Sequence, residues 1–497
     1  MDQEDPKSSL EAPLISNTEI SECHRRSEVV TELKKQLCLA GPLVMVSFLQ
    51  ASLLMISVMF IGHLGELSLA SSSMASSFSG VTGFSFMMGI GSALETFCGQ
   101  AYGAKQYHML GVHMQRAMFV ITLMCIPIAL LWFNTEQIFR ILKQDPEIAA
   151  QAGLYSRWLI PSILPYGLLQ CQLRFLQTQN NIWPLVISTA ITSLVHFLVC
   201  WTFVLVLDSG SKGAALSVAF SYWTNVLILV IYIKFSPSCH KTWRGFSKEG
   251  MKNLIGFLKL AIPSALMTCL EFWSYEFLVL MSGLLPNPKL ETSMMSISLN
   301  TSAMVYRIPF GFGSAVSTRV SNELGAGNPR AARLATRIVL FLAATEGLVL
   351  SLIAVLARNV WGLIYTNEAE VVRYLAAVMP VLALSNFMDG IQGVMSGVAR
   401  GCGWQKLGAY VNFGAYYLVG LPCAIILTFV FHFGGKGLWM GIICGSSLQA
   451  LLLLVITLSS NWDEQVNEIL SKKSIGKNFQ FKCPGKYYSM IKLKLVI

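Results

Sequence analysis

Long apolar stretches with almost no charge recur along the whole chain, separated by short polar connections. A helix that crosses the hydrocarbon layer of a bilayer needs about 20 apolar residues, because it rises only about 1.5 Å per residue. The pattern predicts an all-α membrane protein with twelve transmembrane helices. The predicted spans are Gln36–Ile61, Leu69–Ala93, Ala117–Phe133, Trp158–Leu173, Trp183–Leu207, Gly213–Ile233, 258–284, 292–318, 338–357, 374–397, 407–431 and 437–460.

The connections predict the orientation and the division of the chain. An even number of spans places both termini on one side, and assigning that side to the cytoplasm puts most Lys and Arg residues in cytoplasmic connections. The polar first segment has no apolar core of the kind that a cleaved signal peptide carries. The predicted parts are a cytoplasmic N-terminal tail at 1–36, an N-terminal lobe at 37–234, a cytoplasmic linker at 235–257, a C-terminal lobe at 258–460 and a basic cytoplasmic tail at 461–497.

Composition supports this class and argues against several others. Hydrophobic residues make up 54% of the chain and charged residues only 12%, less than in soluble domains. The net charge of +10 indicates membrane orientation rather than nucleic-acid binding, since no basic run alternates with aromatic residues. The 12 cysteines are scattered without CxxC spacing, so we expect neither a disulfide framework nor a metal site.

An internal repeat relates the two halves of the chain. A shift of 222 residues aligns Gly89–Ala93 with Gly311–Ala315, and a shift of 221 aligns Leu39–Pro42 with Leu260–Pro263. Six spans return each half to its starting side, so the halves are predicted to form two six-helix lobes related by a pseudo-two-fold axis along the membrane normal. Parallel repeats of this kind are a transporter architecture with the binding site between the halves.

Two prolines occupy equivalent positions in this repeat. Pro42 lies in the first span and Pro263 in the seventh. Each removes a backbone hydrogen bond and can bend its helix. Many such prolines are only tolerated kinks in packed helices, but a matched pair indicates hinges or a binding region.

Acidic residues inside the predicted spans are costly and therefore mark candidate functional positions. Glu271 and Glu276 lie in span seven, Glu346 in span nine and Asp389 in span ten. Glu271 and Glu276 are separated by about 140° around a helix, so they do not share one face. Function is favoured for Glu271 and Asp389.

The repeat makes the two halves chemically unequal at one place, because Glu271 aligns with Gln50 of the first half. A carboxyl group buried at low dielectric can bind and release a proton near neutral pH, whereas an amide cannot. Proton handling is therefore predicted in the second half, unless Glu271 is a structural acid bonded to a serine or tyrosine, such as Ser274 or Tyr275.

Three other polar residues in the spans remain open to more than one interpretation. Glu346 has no acidic counterpart in the first half, and a structural role explains it at least as well as a functional one. Arg307 is either a buried counter-charge or a residue that extends to the membrane surface. His196 is a lone histidine on an apolar helix, where a packed hydrogen-bonding role is commoner than that of a base.

Small residues mark the predicted cytoplasmic ends of spans two and eight. Gly103 and Gly325 are equivalent in the repeat, and we interpret both segments as helix caps and hinges. Glu95 and Glu323 lie in these segments, and each could pair there with a basic residue. The candidate partners are Arg319 and Arg333.

Several motifs resemble the multidrug and toxic compound extrusion (MATE) family, most of all its plant branch. They lie between about residue 30 and about residue 462. The motifs are Gly62–Leu67, Gly91–Ala104, Gln144–Glu147, Leu260–Pro263, Cys269–Glu271, Leu284–Pro288, Arg319–Pro329 and Gly397–Gln405. The resemblance implies two six-helix lobes in a V around a central cavity, and exchange of organic solutes for protons, or for sodium in some bacterial members.

The resemblance also implies roles for individual residues. It identifies Glu271 and Asp389 with the cation-handling acids of the second lobe, and it makes Glu276 important as well. The candidate residues of the substrate cavity, partly from the resemblance and partly from their aromatic or amide character, are Gln50, Trp273, Asn300, Tyr306 and Tyr416.

The expected function is therefore that of a proton-coupled antiporter and not of an enzyme. It would export organic solutes, such as xenobiotics, flavonoids or alkaloids, from the cytosol by alternating access, across the plasma membrane or the vacuolar membrane. We expect no cofactor other than the coupling proton, and no partners other than the solute and membrane lipid, since a monomer with an internal two-fold suffices. The alternatives are a flippase for lipid-linked substrates, which would need a basic cavity, and a membrane enzyme that uses His196.

Overall fold

The computed structural model describes residues 17–474, and these residues form helices joined by short turns. A short helix at Thr135–Ile141 follows the third long helix, and another at Trp462–Ser474 follows the last. The twelve long helices are α1 (Asn17–Gly62), α2 (66–103), α3 (Tyr107–Phe133), α4 (146–178), α5 (Trp183–Val206), α6 (Gly210–Phe235), α7 (Leu254–Ser282), α8 (288–325), α9 (Pro329–Trp361), α10 (Ala369–Cys402), α11 (Gln405–Val430) and α12 (Gly435–Ser459).

The predicted all-α class with twelve long helices is confirmed. Nine of the helices in the described part of the chain are both long enough and apolar enough to cross a membrane. The other three, α2, α4 and α8, are longer than a bilayer requires, and each contains a local break: a π-helical turn at Gly80–Phe84, a 3₁₀ turn at Ile160–Ser162 and a turn at Tyr306.

The helices extend beyond the predicted apolar spans. α1 begins at Asn17, inside the predicted N-terminal tail, and the helix Trp462–Ser474 occupies the start of the predicted C-terminal tail. The remainder of both tails, including most of the basic segment, lies outside the described residues. The difference arises because charged residues end an apolar run without ending a helix.

Prolines affect these helices differently. Pro42 and Pro263 lie inside uninterrupted α-helix, so their role as hinges stays a prediction. In α8 the chain forms two helices, Pro288–Val305 and Arg307–Gly325. Pro309 has no N–H group to donate to the carbonyl oxygen four residues earlier, which explains why the helix breaks there.

In the described part of the chain, the apolar core of the N-terminal lobe continues to Ala265 of α7 and Ala315 of α8, and the C-terminal lobe has two further clusters. In the N-terminal lobe Trp132 is fully buried, lies edge-on to Phe84 at 5.3 Å and donates a hydrogen bond from Nε1 to the Thr82 hydroxyl at 3.0 Å. In the C-terminal lobe Trp439 is fully buried beside Leu382. These cores fix the helices that carry the candidate site.

The two lobes meet at two helix crossings that are equivalent in the repeat, each with a glycine at the contact. A methyl group on Gly89 of α2 would lie 2.5 Å from the Cα atom of Ala265 on α7, and one on Gly311 of α8 would collide with Val44 of α1. Val44 and Ala265 are equivalent in the repeat, as are Gly89 and Gly311. Only glycine therefore permits these helices to approach so closely, and it does so at both symmetry-related crossings.

Gly89→Ala is expected to destabilise the protein by about 1–3 kcal/mol, because the added methyl group must displace the α7 backbone. Gly80→Ala in the same helix is the matched control, since nothing lies within 4 Å of its Cβ position. Thermal unfolding of the purified proteins measures the difference. Equal melting temperatures for the two variants would show that the α2–α7 contact is not tightly packed.

Candidate transport site

Two carboxylates of the C-terminal lobe each accept a hydrogen bond from a tyrosine. Glu271 of α7 accepts from the Tyr306 hydroxyl of α8 at 3.2 Å. Asp389 of α10 accepts from the Tyr275 hydroxyl of α7 at 3.0 Å and from the Ser385 hydroxyl at 3.2 Å. The Glu271–Tyr306 hydrogen bond thus joins α7 to α8, and the Tyr275–Asp389 hydrogen bond joins α7 to α10. The structure brings Glu271, Asp389 and Tyr306 into one region.

Local backbone features position these groups. Tyr306 lies at the break in α8, between its two helical halves. Gly393 of α10 permits the Tyr306 ring to approach, since a methyl group there would lie 3.1 Å from the tyrosine hydroxyl. The helix break and the glycine together place the tyrosine between α7 and α10.

Within residues 17–474, the Glu271 carboxylate bonds to a tyrosine, Tyr306, but to neither Ser274 nor Tyr275, and its functional and structural interpretations both stay predictions. The Ser274 hydroxyl donates to the backbone carbonyl of Glu271 at 2.7 Å, and Tyr275 donates to Asp389 instead. Tyr275 is therefore a site residue that the sequence interpretation placed beside the wrong acid. Its ring lies 6.4 Å from that of Tyr416, which is fully buried and so supports Tyr275 rather than lining an open cavity in this conformation.

Trp273 and Glu276 face the N-terminal lobe. Trp273 donates from Nε1 to the Val81 carbonyl of α2 at 2.9 Å, although its side chain remains partly exposed. Glu276 lies beside the Ser77 hydroxyl of α2. Glu276 is thus separate from the Glu271–Asp389 pair, as its angular offset around α7 predicts.

In the part of the chain that the structure describes, the two amide candidates make no hydrogen bond to the acids. Gln50 is half-buried in α1, and Asn300 is exposed in the first half of α8. Two other amides, both of α10, bond in this region: Gln392 hydrogen-bonds to the Glu271 carboxylate, and the Asn386 oxygen accepts from the Ser302 hydroxyl at 2.8 Å. The roles predicted for Gln50 and Asn300 in the substrate cavity therefore stay predictions.

A second cluster of buried charges joins the lobes near the C-terminal ends of α2 and α8. Glu95 of α2 is fully buried, with its carboxylate oxygens 3.1 Å from Arg174 of α4 and 3.0 Å from Arg400 of α10. Arg319 of α8 forms ion pairs with Glu32 of α1 at 2.8 Å and with Glu323 at 2.7 Å. We call these six residues the interlobe latch.

The latch both confirms and corrects the sequence interpretation. Glu323 pairs with Arg319 as expected. Glu95 pairs with neither Arg319 nor Arg333, but with Arg174 and Arg400. Although α8 packs against α2 here and its Ser317 side chain lies beside Glu95, Arg319 pairs with Glu32 and Glu323 instead.

Hydrogen bonds extend the latch between the lobes. Gln177 of α4 donates to the Ser314 carbonyl at 2.9 Å and to the Thr318 hydroxyl at 3.0 Å. The Thr96 hydroxyl of α2 donates to the Arg400 carbonyl, and Gln405 donates to Thr96 at 2.6 Å. The lobes are therefore joined by polar contacts at the end of the molecule where α2 and α8 finish.

The three ambiguous residues have distinct surroundings. His196 is fully buried, with its ring nitrogens 3.0 Å from the Ser57 hydroxyl and 2.8 Å from the Ser221 hydroxyl, as in a packed hydrogen-bonding histidine. Glu346 is half-buried, and one of its carboxylate oxygens has no hydrogen-bond partner among the described residues. Arg307 is half-buried, and its Nε atom likewise has no hydrogen-bond partner among the described residues.

Comparison with known proteins agrees with this arrangement. The MatE family matches the sequence twice, over residues 42–202 and 263–426. The two matches begin at the aligned prolines Pro42 and Pro263, as the repeat predicts.

The similarity to individual relatives covers almost the whole chain. Protein DETOXIFICATION 16 of Arabidopsis thaliana is 54% identical over 478 residues, which are 95% of this chain and 97% of that protein. The crystal structure of the eukaryotic MATE transporter AtDTX14 is 45% identical, covers 90% of this chain and 99% of its own, and superimposes with a TM-score of 0.87.

A distant bacterial structure shares the fold. The Vibrio cholerae MATE transporter VcmN in the bent form is 16% identical, covers 89% of this chain and 99% of its own, and gives a TM-score of 0.75. The matched relatives are transporters and not enzymes. From its twofold family match, its identity to plant relatives and its twelve-helix, two-lobe fold, the chain belongs to the MATE family of multi-pass membrane transporters.

Proposed function

We propose that this MATE transporter is a proton-coupled antiporter that exports organic solutes from the cytosol by alternating access, with Glu271 and Asp389 as the proton-binding groups. The observation that carries the proposal is the pair of tyrosine–carboxylate hydrogen bonds linking α7, α8 and α10. Carboxylates in a membrane span are costly, and within residues 17–474 no cationic group hydrogen-bonds to either acid, although Arg400 interacts electrostatically with Glu271.

Protonation of this pair changes the direction of its hydrogen bonds. An ionised Glu271 accepts from Tyr306, but a protonated carboxyl group can itself donate. The same holds for Asp389 and Tyr275. Because Glu271 and Tyr275 both belong to α7, proton uptake alters the links of α7 to both α8 and α10. Rearrangement of α7 around Pro263 would then release the solute.

Return to the inward-facing state requires the lobes to separate at the interlobe latch. In the present conformation the latch holds that end closed, with Glu95 between arginines of both lobes. With the termini in the cytoplasm, this closed end faces the cytosol. Loss of protons from the C-terminal lobe and entry of solute would accompany latch opening.

The name of the Arabidopsis relatives, DETOXIFICATION, supports xenobiotics or secondary metabolites such as flavonoids and alkaloids as solutes. Gln50, Trp273, Asn300 and Tyr306 remain the candidate contacts for such solutes. We place the protein in the plasma or vacuolar membrane as a monomer, with membrane lipid and the coupling proton as its other partners.

Solute exchange in reconstituted vesicles tests the proposal. The purified protein is incorporated into vesicles with an imposed pH gradient, and uptake of a fluorescent organic cation and of a flavonoid is followed. We expect uptake of at least one probe to follow the gradient and to stop when a proton carrier dissipates it. Uptake that ignores the gradient would overturn proton coupling.

Tyr306→Phe is expected to lower gradient-driven exchange roughly tenfold. A hydrogen bond to a charged group contributes about 1.5–3 kcal/mol, and about 1.4 kcal/mol corresponds to a factor of ten. Tyr410→Phe is the control, because Tyr410 is exposed and lies outside the network. Unchanged exchange by Tyr306→Phe would remove the tyrosine from the coupling mechanism.

A further inference from the structure

A small cavity lies beside the start of α7, away from both the carboxylate pair and the interlobe latch. Its polar lining comes from Arg116 and His113 of α3 and from Asn253, the residue that precedes α7. Phe97, Met109 and Phe257 form its apolar walls. The cavity offers about 30 Å³ to a small group.

The helix that begins here is long and has no side-chain cap. α7 has 29 residues, and Asn253 precedes it in a left-handed conformation with φ 58° and ψ 38°. The Asn253 side chain makes no capping hydrogen bond to the first turn. The first backbone N–H groups of a helix have no acceptor within the helix and carry its partial positive charge, so this end of the cavity favours an anion.

Arg116 is an independent sign that the cavity suits an anion. Its side chain is buried, with only 4% of the residue exposed, and its Nε atom has no hydrogen-bond partner in the described part of the chain. Its terminal nitrogens make only long contacts, at 3.4 Å to His113 Nδ1 and at 3.4 Å to the Glu249 carbonyl oxygen. The Glu249 carboxylate lies 3.5 Å from His108 and, within the described residues, acts on Arg116 electrostatically without a hydrogen bond or ion-pair contact. A buried guanidinium without a contacting carboxylate is costly unless an anion completes it.

The surroundings place this cavity at the level of lipid headgroups. Arg116 and Asn253 lie just outside the apolar spans predicted for α3 and α7. Phe246, Met251 and Ile255 expose large apolar side chains beside the cavity. Exposed basic residues accompany them in the same segment: Lys241, Arg244, Lys248 and Lys252. Apolar side chains interleaved with lysine and arginine are typical of a surface that meets anionic lipid.

We propose that this cavity is a binding site for the phosphate group of an anionic phospholipid. The phosphate oxygens accept hydrogen bonds from Arg116 and from the first N–H groups of α7, while the acyl chains lie against the exposed apolar residues. The narrow cavity favours a small headgroup such as that of phosphatidic acid. Since α7 also carries Glu271, the bound lipid stabilises the start of the helix that holds the carboxylate site, although the proposal does not depend on proton coupling.

Thermal unfolding of the purified full-length protein in detergent tests the proposal. Melting temperature is measured against increasing dioleoyl phosphatidic acid, dioleoyl phosphatidylcholine or sodium phosphate. The variants are Arg116→Gln and, as the matched control, Arg244→Gln, which removes an exposed arginine outside the cavity lining. We expect phosphatidic acid to raise the melting temperature of the wild type and of Arg244→Gln, and Arg116→Gln to need at least tenfold more lipid for the same rise.

A third variant keeps the test decisive if Arg116→Gln folds poorly. Met109→Glu places a carboxylate in the cavity wall, where it can occupy the anion position from within the chain. We expect it to melt at or above the wild-type temperature without lipid, and to lose the response to phosphatidic acid. A response retained by Met109→Glu, or an equal response in Arg116→Gln and wild type, would overturn the site. An Arg116-dependent response to sodium phosphate but not to phosphatidic acid would overturn the lipid as its occupant.

Discussion

Replacing Glu271 with Gln is expected to abolish solute exchange driven by a pH gradient, reducing it to the rate of protein-free vesicles. Gln has nearly the size of Glu and can still accept from Tyr306, so the contact with α8 is preserved. An amide cannot bind and release a proton near neutral pH, however. Uptake of a fluorescent organic cation into reconstituted vesicles, at equal amounts of folded protein, measures the effect.

Glu346→Gln is the matched control for this experiment. Glu346 is a half-buried acid of the same lobe, on α9, and it makes no hydrogen bond to Glu271 or Asp389 within residues 17–474. We expect this variant to retain gradient-driven exchange. If Glu271→Gln keeps pace with the wild type, Glu271 is structural and the coupling role belongs elsewhere. Equal loss in both variants would mean that any neutralised acid in this lobe disrupts transport.

Replacing Glu95 with Gln is expected to destabilise the closed conformation more than any other single change in the interlobe latch. The substitution leaves Arg174 and Arg400 buried without their shared carboxylate. Removing one partner of a buried ion pair costs about 3–5 kcal/mol. A lower melting temperature and more frequent separation of the lobes should follow.

A native cysteine between the lobes reports the separation. Cys269 of α7 is buried, with its thiol 3.6 Å from the Ser85 hydroxyl of α2. We expect a membrane-permeant thiol reagent to label Cys269 faster in Glu95→Gln than in the wild type, as measured by mass spectrometry of its peptide.

Glu136→Gln is the control, because Glu136 also contacts two arginines, Arg140 at 2.8 Å and Arg157 at 3.2 Å, but at a partly exposed site. Such surface pairs contribute below about 1 kcal/mol. Similar melting temperatures and labelling rates for Glu95→Gln and Glu136→Gln would contradict the role of the latch.

The sequence predicts the helices well because lipid imposes a simple constraint on them. A span must be apolar over a nearly fixed length, and this constraint can be seen in one sequence without any knowledge of packing. The ends were less predictable: α1 begins at Asn17, well before the apolar stretch, since its charged first turns are helical outside the lipid.

The acids of the candidate site were predictable for a similar reason. Glu271 and Asp389 are conspicuous because they are charges within apolar helices, and the repeat added the contrast between Glu271 and Gln50. Their hydrogen-bond partners were harder to assign. Tyr275 is adjacent to Glu271 along α7, yet it bonds to Asp389. Which of several nearby tyrosines reaches which acid depends on how α7, α8 and α10 cross.

The interlobe latch could be predicted only in part. Arg174 and Arg400 each follow the apolar part of a span, where a basic residue usually marks the membrane surface. The pairing of both with Glu95 arises from the docking of the two lobes, which brings together residues far apart in the chain. Aromatic residues present the same difficulty, since Tyr416 is fully buried whereas Trp273 is partly exposed.

The central claim is that movement of solute and movement of protons are obligatorily linked through the C-terminal lobe. It is tested most directly by measuring protons rather than solute. Vesicles containing the protein and a trapped pH-sensitive dye are given a gradient of the transported solute but no gradient of pH. We predict that solute entry drives protons out, so that the interior becomes alkaline with the wild type but not with Glu271→Gln. Solute entry without any change of internal pH would contradict the account.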